Sequence, residues 1–202
     1  MRKHFLIILI LIAFIFSGCG PSVKNTDSRG AQIICFGDSI TYGQGARDGE
    51  DYPSRLREMV GRDVINAGIP AETTEDGLRR IKEDVLDEDP YLVIIEFGAN
   101  DYFRKVPEKE ILDNLEQMIS LVQQEGAMVA VCDVSGGAIM GVYDIYHDEL
   151  KRLAERKGAI FIPSLMKGIL QDPALKSDSI HPNAKGYKII AERVYKAIKP
   201  YL

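Results

Sequence analysis

Histidine and cysteine are scarce in this chain. Only three of the 202 residues are His and three are Cys. His4 stands near the N-terminus, and His147 and His181 are far apart. No imidazole cluster offers itself to a metal, so no metal site is expected. A disulfide framework is excluded on the same count: Cys35 and Cys132 lie inside apolar runs, where a thiol behaves as a small hydrophobe, and Cys19 is assigned to lipid below. A basic excess is also missing. The 25 Lys and Arg residues against 30 Asp and Glu give a net charge of −5, and no basic run follows the leader, so a nucleic-acid partner is not expected. The sequence has no internal repeat and no room for a second catalytic domain. It also lacks a Gly-x-Ser-x-Gly elbow, which sets aside that class of serine hydrolase. Ser135, ahead of Gly136-Gly137, is the only rival serine, and His147 is the only base that could serve it.

What is present begins with a leader. Arg2, Lys3 and His4 precede an apolar run from Phe5 to Phe16, which Ser17-Gly18-Cys19 closes. The run is shorter than the roughly 20 residues a bilayer-spanning helix needs, and its charged start and small-residue end read as a signal peptide, residues 1–18. Phe16-Ser17-Gly18-Cys19 resembles a bacterial lipobox, which implies cleavage before Cys19 and lipid attachment to it. The expected address is the bacterial cell envelope, with the chain held to a membrane and facing the periplasm or exterior. Residues 19–30 are polar and read as the lipidated Cys and a flexible tether, leaving 31–202 as the folded domain.

Within that domain, short apolar runs alternate with amphipathic stretches. Ala31 to Phe36, Asp63 to Asn66, Tyr91 to Phe97, Ala127 to Asp133 and Ala159 to Ile162 read as strands. Tyr52 to Val60, Thr74 to Leu86, Glu108 to Glu125, Tyr143 to Lys157 and Ala184 to Ile198 read as helices, several followed by a terminating Gly. Strict alternation with strands apolar on both faces predicts an α/β fold: a three-layer α/β/α sandwich around a five-stranded parallel sheet of flavodoxin-like order. Ligand sites in such sheets form beyond the carboxyl ends of the strands, so the residues that follow each strand carry the chemistry.

Gly37-Asp38-Ser39-Ile40-Thr41 follows the first strand and offers a serine at an exposed, fixed position, although Asp and Ser also cap helices. Asn66-Ala67-Gly68-Ile69-Pro70 follows the second, with a glycine that allows close approach of the backbone and that turns also use. Gly98-Ala99-Asn100-Asp101 follows the third and brings a side-chain amide with two donors. Asp178-Ser179-Ile180-His181-Pro182-Asn183 precedes the last helix. A carboxylate and an imidazole three residues apart on one loop can meet, leaving the second ring nitrogen to take a proton from serine. Each segment alone has an ordinary explanation as cap or turn. Together they supply nucleophile, base, orienter and donors.

In order and spacing, Gly37-Asp38-Ser39, Gly68, Gly98-Ala99-Asn100-Asp101 and Asp178-Ser179-Ile180-His181 resemble the four motif blocks of the SGNH (GDSL-type) hydrolases. The likeness runs from about Ile33 to the final helix and is nearest to the branch of arylesterases and thioesterase I/lysophospholipase enzymes. It implies Ser39 as nucleophile, His181 as base, Asp178 as its partner, and an oxyanion hole made by the N–H groups of Ser39 and Gly68 with the Asn100 amide. Pro70-Ala71 departs from that branch, where a Ser-Gly-type pair is usual. The implied activity is hydrolysis of carboxylic esters, aryl or of short to medium acyl length, with thioesters and lysophospholipids within its scope and no cofactor. An O-acetylesterase or O-acetyltransferase acting on cell-envelope glycans is the alternative enzyme, and a noncatalytic binding lipoprotein the alternative outside enzymes. Tyr42, Tyr102, Phe103 and Tyr143 stand where they could line an acyl pocket.

Overall fold

Two of the five strands are apolar along their whole length and a third is apolar up to a closing Glu96, so they can be stable only if both faces of the sheet are covered. The computed structural model describes residues 22–134 and 147–202. The strands are β1 (Gln32–Gly37), β2 (Val64–Gly68), β3 (Pro90–Glu96), β4 (Met128–Cys132) and β5 (Ile160–Ile162). They form one parallel sheet in the order β2-β1-β3-β4-β5, the flavodoxin-like order the alternation predicts.

Alternate residues of the strands feed two cores. Ile33, Cys35, Leu92, Ile94, Met128 and Ala130 point to one face and meet Tyr52 and Leu56 of α2 (Tyr52–Val60) and Tyr187, Ile190 and Val194 of α7 (Ala184–Ile198). Ile34, Phe36, Val93, Ile95, Val129 and Val131 point to the other face. They meet α3 (Thr74–Asp84), α5 (Glu108–Gln124) and α6 (His147–Lys157) through Ile81, Leu115, Met118, Leu150 and Leu153. Period-two strands between two helical layers give the three-layer sandwich.

Side chains fix where the helices begin. Thr73 and Asp76 form a reciprocal capping box at α3, Asp51 accepts from Ser54 N–H at α2, and Asn183 accepts from Lys185 and Gly186 N–H at α7. Two helices escape a periodicity argument because they are too short to show a period: α1 (Ser39–Tyr42) and α4 (Ala99–Phe103). Both stand immediately beyond carboxyl ends of strands.

The N-terminal segment differs from expectation. Residues 22–30 are not a free tether but a strap held under the amino ends of the strands. Asn25 Nδ2 donates to Gln123 O and Ala127 O, both at 2.9 Å, and Lys24 N–H donates to Gly158 O at 2.9 Å. Val23 packs against the core. The signal peptide, Cys19, Ser135, Gly136, Gly137 and Tyr143 lie outside the described residues.

Candidate active site

Ser39 opens α1, directly beyond β1. Asp38 caps this short helix, its Oδ1 accepting from Ile40 N–H at 3.0 Å, and Gly43 ends it in the left-handed conformation at φ +94°. The turn is therefore fixed at both ends and presents Ser39 at the rim of the sheet. His181 reaches it from the loop before α7, and its Nε2 stands 3.1 Å from Ser39 Oγ. On the far side of the ring, Nδ1 lies 2.7 Å from Asp178 Oδ2. Asp178 is itself held, Oδ1 accepting from the N–H groups of Ile180 and His181 at 2.8 Å each. Partial burial works against its charge, but these two N–H groups and the His181 ring outweigh it, so the carboxyl sits below the ordinary carboxylate range. A carboxylate that stays ionised, an oriented imidazole and a serine hydroxyl in line form an arrangement able to draw a proton from the hydroxyl as it attacks.

Asn100 lies on α4 and shares a cleft with Ser39 and His181. Its Nδ2 donates to Asp38 Oδ2 and to Glu72 O, both at 2.9 Å. Gly68 is not brought to the site. Its N–H donates to Asn66 Oδ1 at 3.0 Å, and the residue borders a separate depression beside Arg80 and Glu83. Gly68 serves packing: a Cβ there would stand 2.1 Å from Tyr42 N, so glycine lets the end of β2 pass against α1. The expectation of a Gly68 oxyanion donor is corrected accordingly. The loop after β2 does contain a free amide. Ala71 has φ +67°, its carbonyl accepts from Arg104, and among the described residues its N–H has no partner, nor has that of Ser39.

The motif reading passed over a carboxyl below the Ser39 turn. Glu96 ends β3 and is fully buried; its Oε2 accepts from Thr41 N–H at 3.2 Å and from Thr41 Oγ1 at 2.8 Å, while its Oε1 has no partner. Thr41 Oγ1 also lies 3.1 Å from Tyr52 OH, so the turn rests on a buried polar chain. Burial, and then the nearby Asp38 charge, push the Glu96 carboxyl well above the ordinary range, favouring its neutral form. Asp38 is raised by burial to about 6, against the opposing pull of Ile40 N–H, Glu96 and His181. The signal for Glu96 was available: a single acidic residue closing an otherwise apolar strand.

Phe103 lines the cleft with Ser39 and His181, together with Met166, Leu170 and Ile180. Tyr102 borders an adjoining apolar cleft with Phe97, Ile111 and Leu115, and Val134 is common to both. Tyr42 is 55% exposed and lines neither.

Comparison with known proteins agrees with this architecture. Residues 35–189 match the GDSL-like Lipase/Acylhydrolase family. An arylesterase of Vibrio mimicus is 31% identical over 179 residues, spanning 85% of this chain and 90% of that protein. Esterase TesA of Pseudomonas aeruginosa is 26% identical over 94% of this chain and 99% of its own length. A crystal structure of TesA superposes with a TM-score of 0.78 at 26% identity, covering 85% of this chain and 99% of that one. With the family matched across most of its length and an arylesterase above 30% identity, the chain belongs to the GDSL-like lipase/acylhydrolase family, the SGNH hydrolases, and is a serine esterase.

Proposed function

We propose that the chain hydrolyses carboxylic esters of aryl or short to medium acyl type through Ser39, His181 and Asp178, working as a membrane-anchored lipoprotein. The observation that carries this reading is the continuous line from Asp178 Oδ2 to His181 Nδ1 at 2.7 Å and from His181 Nε2 to Ser39 Oγ at 3.1 Å. Ser39 Oγ attacks the ester carbonyl while His181 Nε2 takes the hydroxyl proton. The tetrahedral adduct collapses, the C–O bond to the alcohol breaks, and His181 returns the proton to the departing alkoxide. Water then attacks the acyl-enzyme in the same way, and the carboxylic acid leaves.

The oxyanion of the adduct is held by the N–H of Ser39 and the Nδ2 of Asn100, with the Ala71 N–H taking the place first given to Gly68. Asn100 is aimed by Asp38, whose carboxylate accepts one of its two N–H bonds. The other goes to the Glu72 carbonyl in the free enzyme and is shared with the oxyanion when the adduct forms. Donors of this kind are typically worth about 10² to 10³ in rate. The apolar side chains of the cleft receive the acyl portion. Cys19, as the lipidated residue, fixes the protein to the cell envelope.

Hydrolysis of p-nitrophenyl esters from acetate to long chains, by protein starting at Gly20, tests the reading with Ser39→Ala as control. Activity that rises and falls with chain length and vanishes in Ser39→Ala supports it. Activity retained in Ser39→Ala sinks the mechanism. A parent inactive on the whole series sinks the assigned substrate class and sends the search to O-acetylated glycans.

A further inference from the structure

The strap formed by residues 22–30 joins the fold at one end only. Gln123 stands at the close of α5, Ala127 precedes β4 and Gly158 precedes β5, so every one of its partners Gln123, Ala127 and Gly158 lies at the amino ends of the strands. The fit is close: a Cβ added at Gly158 would stand 2.8 Å from Ser22 O and 2.9 Å from Lys24 Cγ. Asn25 takes the left-handed conformation at φ +58°, one that Asn tolerates better than most residues, to aim its amide at two carbonyls. Because all five strands are parallel, Ser39 and Asn100, which follow carboxyl ends, stand at the opposite end of the sheet. The seven residues of β3 alone separate the two ends by about 23 Å.

Only Gly20, Pro21 and Ser22 separate Cys19 from Val23. Four residue steps span at most about 14 Å even when fully extended. Resting on the reading of Cys19 as the lipidated residue, we infer that the anchored enzyme stands with the amino-end face of its sheet toward its own bilayer and its Ser39 cleft away from it. Its substrates are then esters reached from the aqueous side, not lipids of the membrane that holds it. To lay the cleft on that membrane, the domain would have to lift its strap more than about 23 Å above the surface, beyond the reach of the linker. Loops of the amino-end face expose the charged residues Arg62, Asp63, Glu88, Asp89 and Glu125, which do not insert among acyl chains; four of the five are acidic, so the short linker and not surface charge sets the orientation. The exposed apolar side chains Phe103 and Ile180 flank the cleft at the far end, where this bilayer does not reach them.

The test uses the full lipidated chain in phosphatidylethanolamine/phosphatidylglycerol vesicles whose headgroups carry an energy-transfer acceptor. Cys35 and Cys132 are buried, so a dye attaches to an introduced thiol alone, either Glu125→Cys at the amino-end face or Lys105→Cys beyond α4. Transfer several-fold stronger from position 125 than from position 105 is expected. A spacer of about twenty Gly and Ser residues inserted after Gly20 should then bring the two values together, because its mean span of about 25 Å lets the domain turn. Equal or reversed transfer without the spacer, in protein that sediments with the vesicles and is released by Cys19→Ser, overturns the orientation while leaving the anchor intact. Protein that stays in the aqueous fraction with Cys19 present overturns the lipidation itself, and the orientation with it.

Discussion

Two histidine–aspartate pairs stand in this fold, bonded almost identically and built in opposite ways. His181 Nδ1 lies 2.7 Å from Asp178, and His147 Nδ1 lies 2.6 Å from Asp133. In the first pair the histidine is nearly buried, with 8% side-chain exposure, and the aspartate is half open at 49%. In the second the aspartate is buried at 3% and the histidine partly open at 32%. Asp133 is tied into the structure: Oδ2 accepts from Ser164 N–H, its own N–H donates to Ile162 O, and its carbonyl accepts from Leu165 N–H. His147 lies edge-on to the Phe161 ring, and among the described residues its Nε2 meets no serine. The difference teaches that a carboxylate–imidazole bond is not in itself a site. What marks Asp178–His181 is a dry base with one nitrogen left over and a fixed hydroxyl at hydrogen-bond distance from it.

The comparison breaks most sharply at the histidines. His181→Ala should lower kcat on a p-nitrophenyl ester by about 10⁶, on the scale of other triads, whereas His147→Ala should stay within about threefold of the parent. Comparable losses in both would give the second pair a chemical role. At the aspartates, Asp178→Asn should cost about 10⁴ in kcat through the wrong tautomer and orientation of the ring. Asp133→Asn should leave kcat of folded enzyme unchanged and lower stability in urea by about 1–3 kcal/mol, the cost of disturbing a buried hydrogen-bonded carboxylate.

Carboxyls raised by burial sharpen the contrast with Asp178 through pH. An acid whose folded pKa lies above its unfolded value holds its proton longer in the folded state. Stability is then full below the unfolded value and falls as pH rises toward the folded one, the reverse of the sign for Asp178. For Asp38 that window runs from about 4 to about 6, and Glu96 loses stability in the same direction as pH rises above its unfolded value. Glu96→Gln, which mimics the neutral acid, should therefore flatten the fall in urea midpoint as pH rises above the ordinary carboxylate range and be more stable than the parent at the alkaline end. A slope unchanged by the substitution would show that Glu96 does not carry it. The smallest effect is expected at Ala71→Gly. Relief of a left-handed alanine, about 1–2 kcal/mol, less the added freedom of glycine in the unfolded chain, leaves a gain of about 0.5–1 kcal/mol with activity retained. An unchanged or lowered melting temperature would contradict the strain assigned to that turn.

Much of this was legible in the sequence because burial writes itself into long apolar runs and caps into side chains. All five strands fall within a few residues of their expected places, and α7 begins where Asn183 can cap it. A parallel sheet between two helical layers follows from the alternation of strand and helix. Ser39 and Asn100 could be picked out because strand ends in a parallel sheet converge on one rim, and Asp178 and His181 because they stand three residues apart on one loop. Other features were hidden for physical reasons. A glycine shows where the backbone can turn but not where its N–H points, so Gly68 was credited with a donor that Asn66 already holds. An alanine gives no hint of a left-handed conformation, which concealed Ala71. Residues 22–30 read as a tether because they are polar, yet one amide, Asn25, finds two carbonyls about a hundred residues away.

That last distance has a consequence in time. The carbonyls that Asn25 grips belong to Gln123 and Ala127, and the one Lys24 grips belongs to Gly158. At about 5–20 residues per second, the ribosome needs roughly 5 to 20 seconds after making Asn25 before the first of them exists. The start of the chain thus stays unfastened through the early part of synthesis, within reach of whatever trims or modifies it. The clasp closes only when the last two strands arrive, with the final α-helix of the domain still to come.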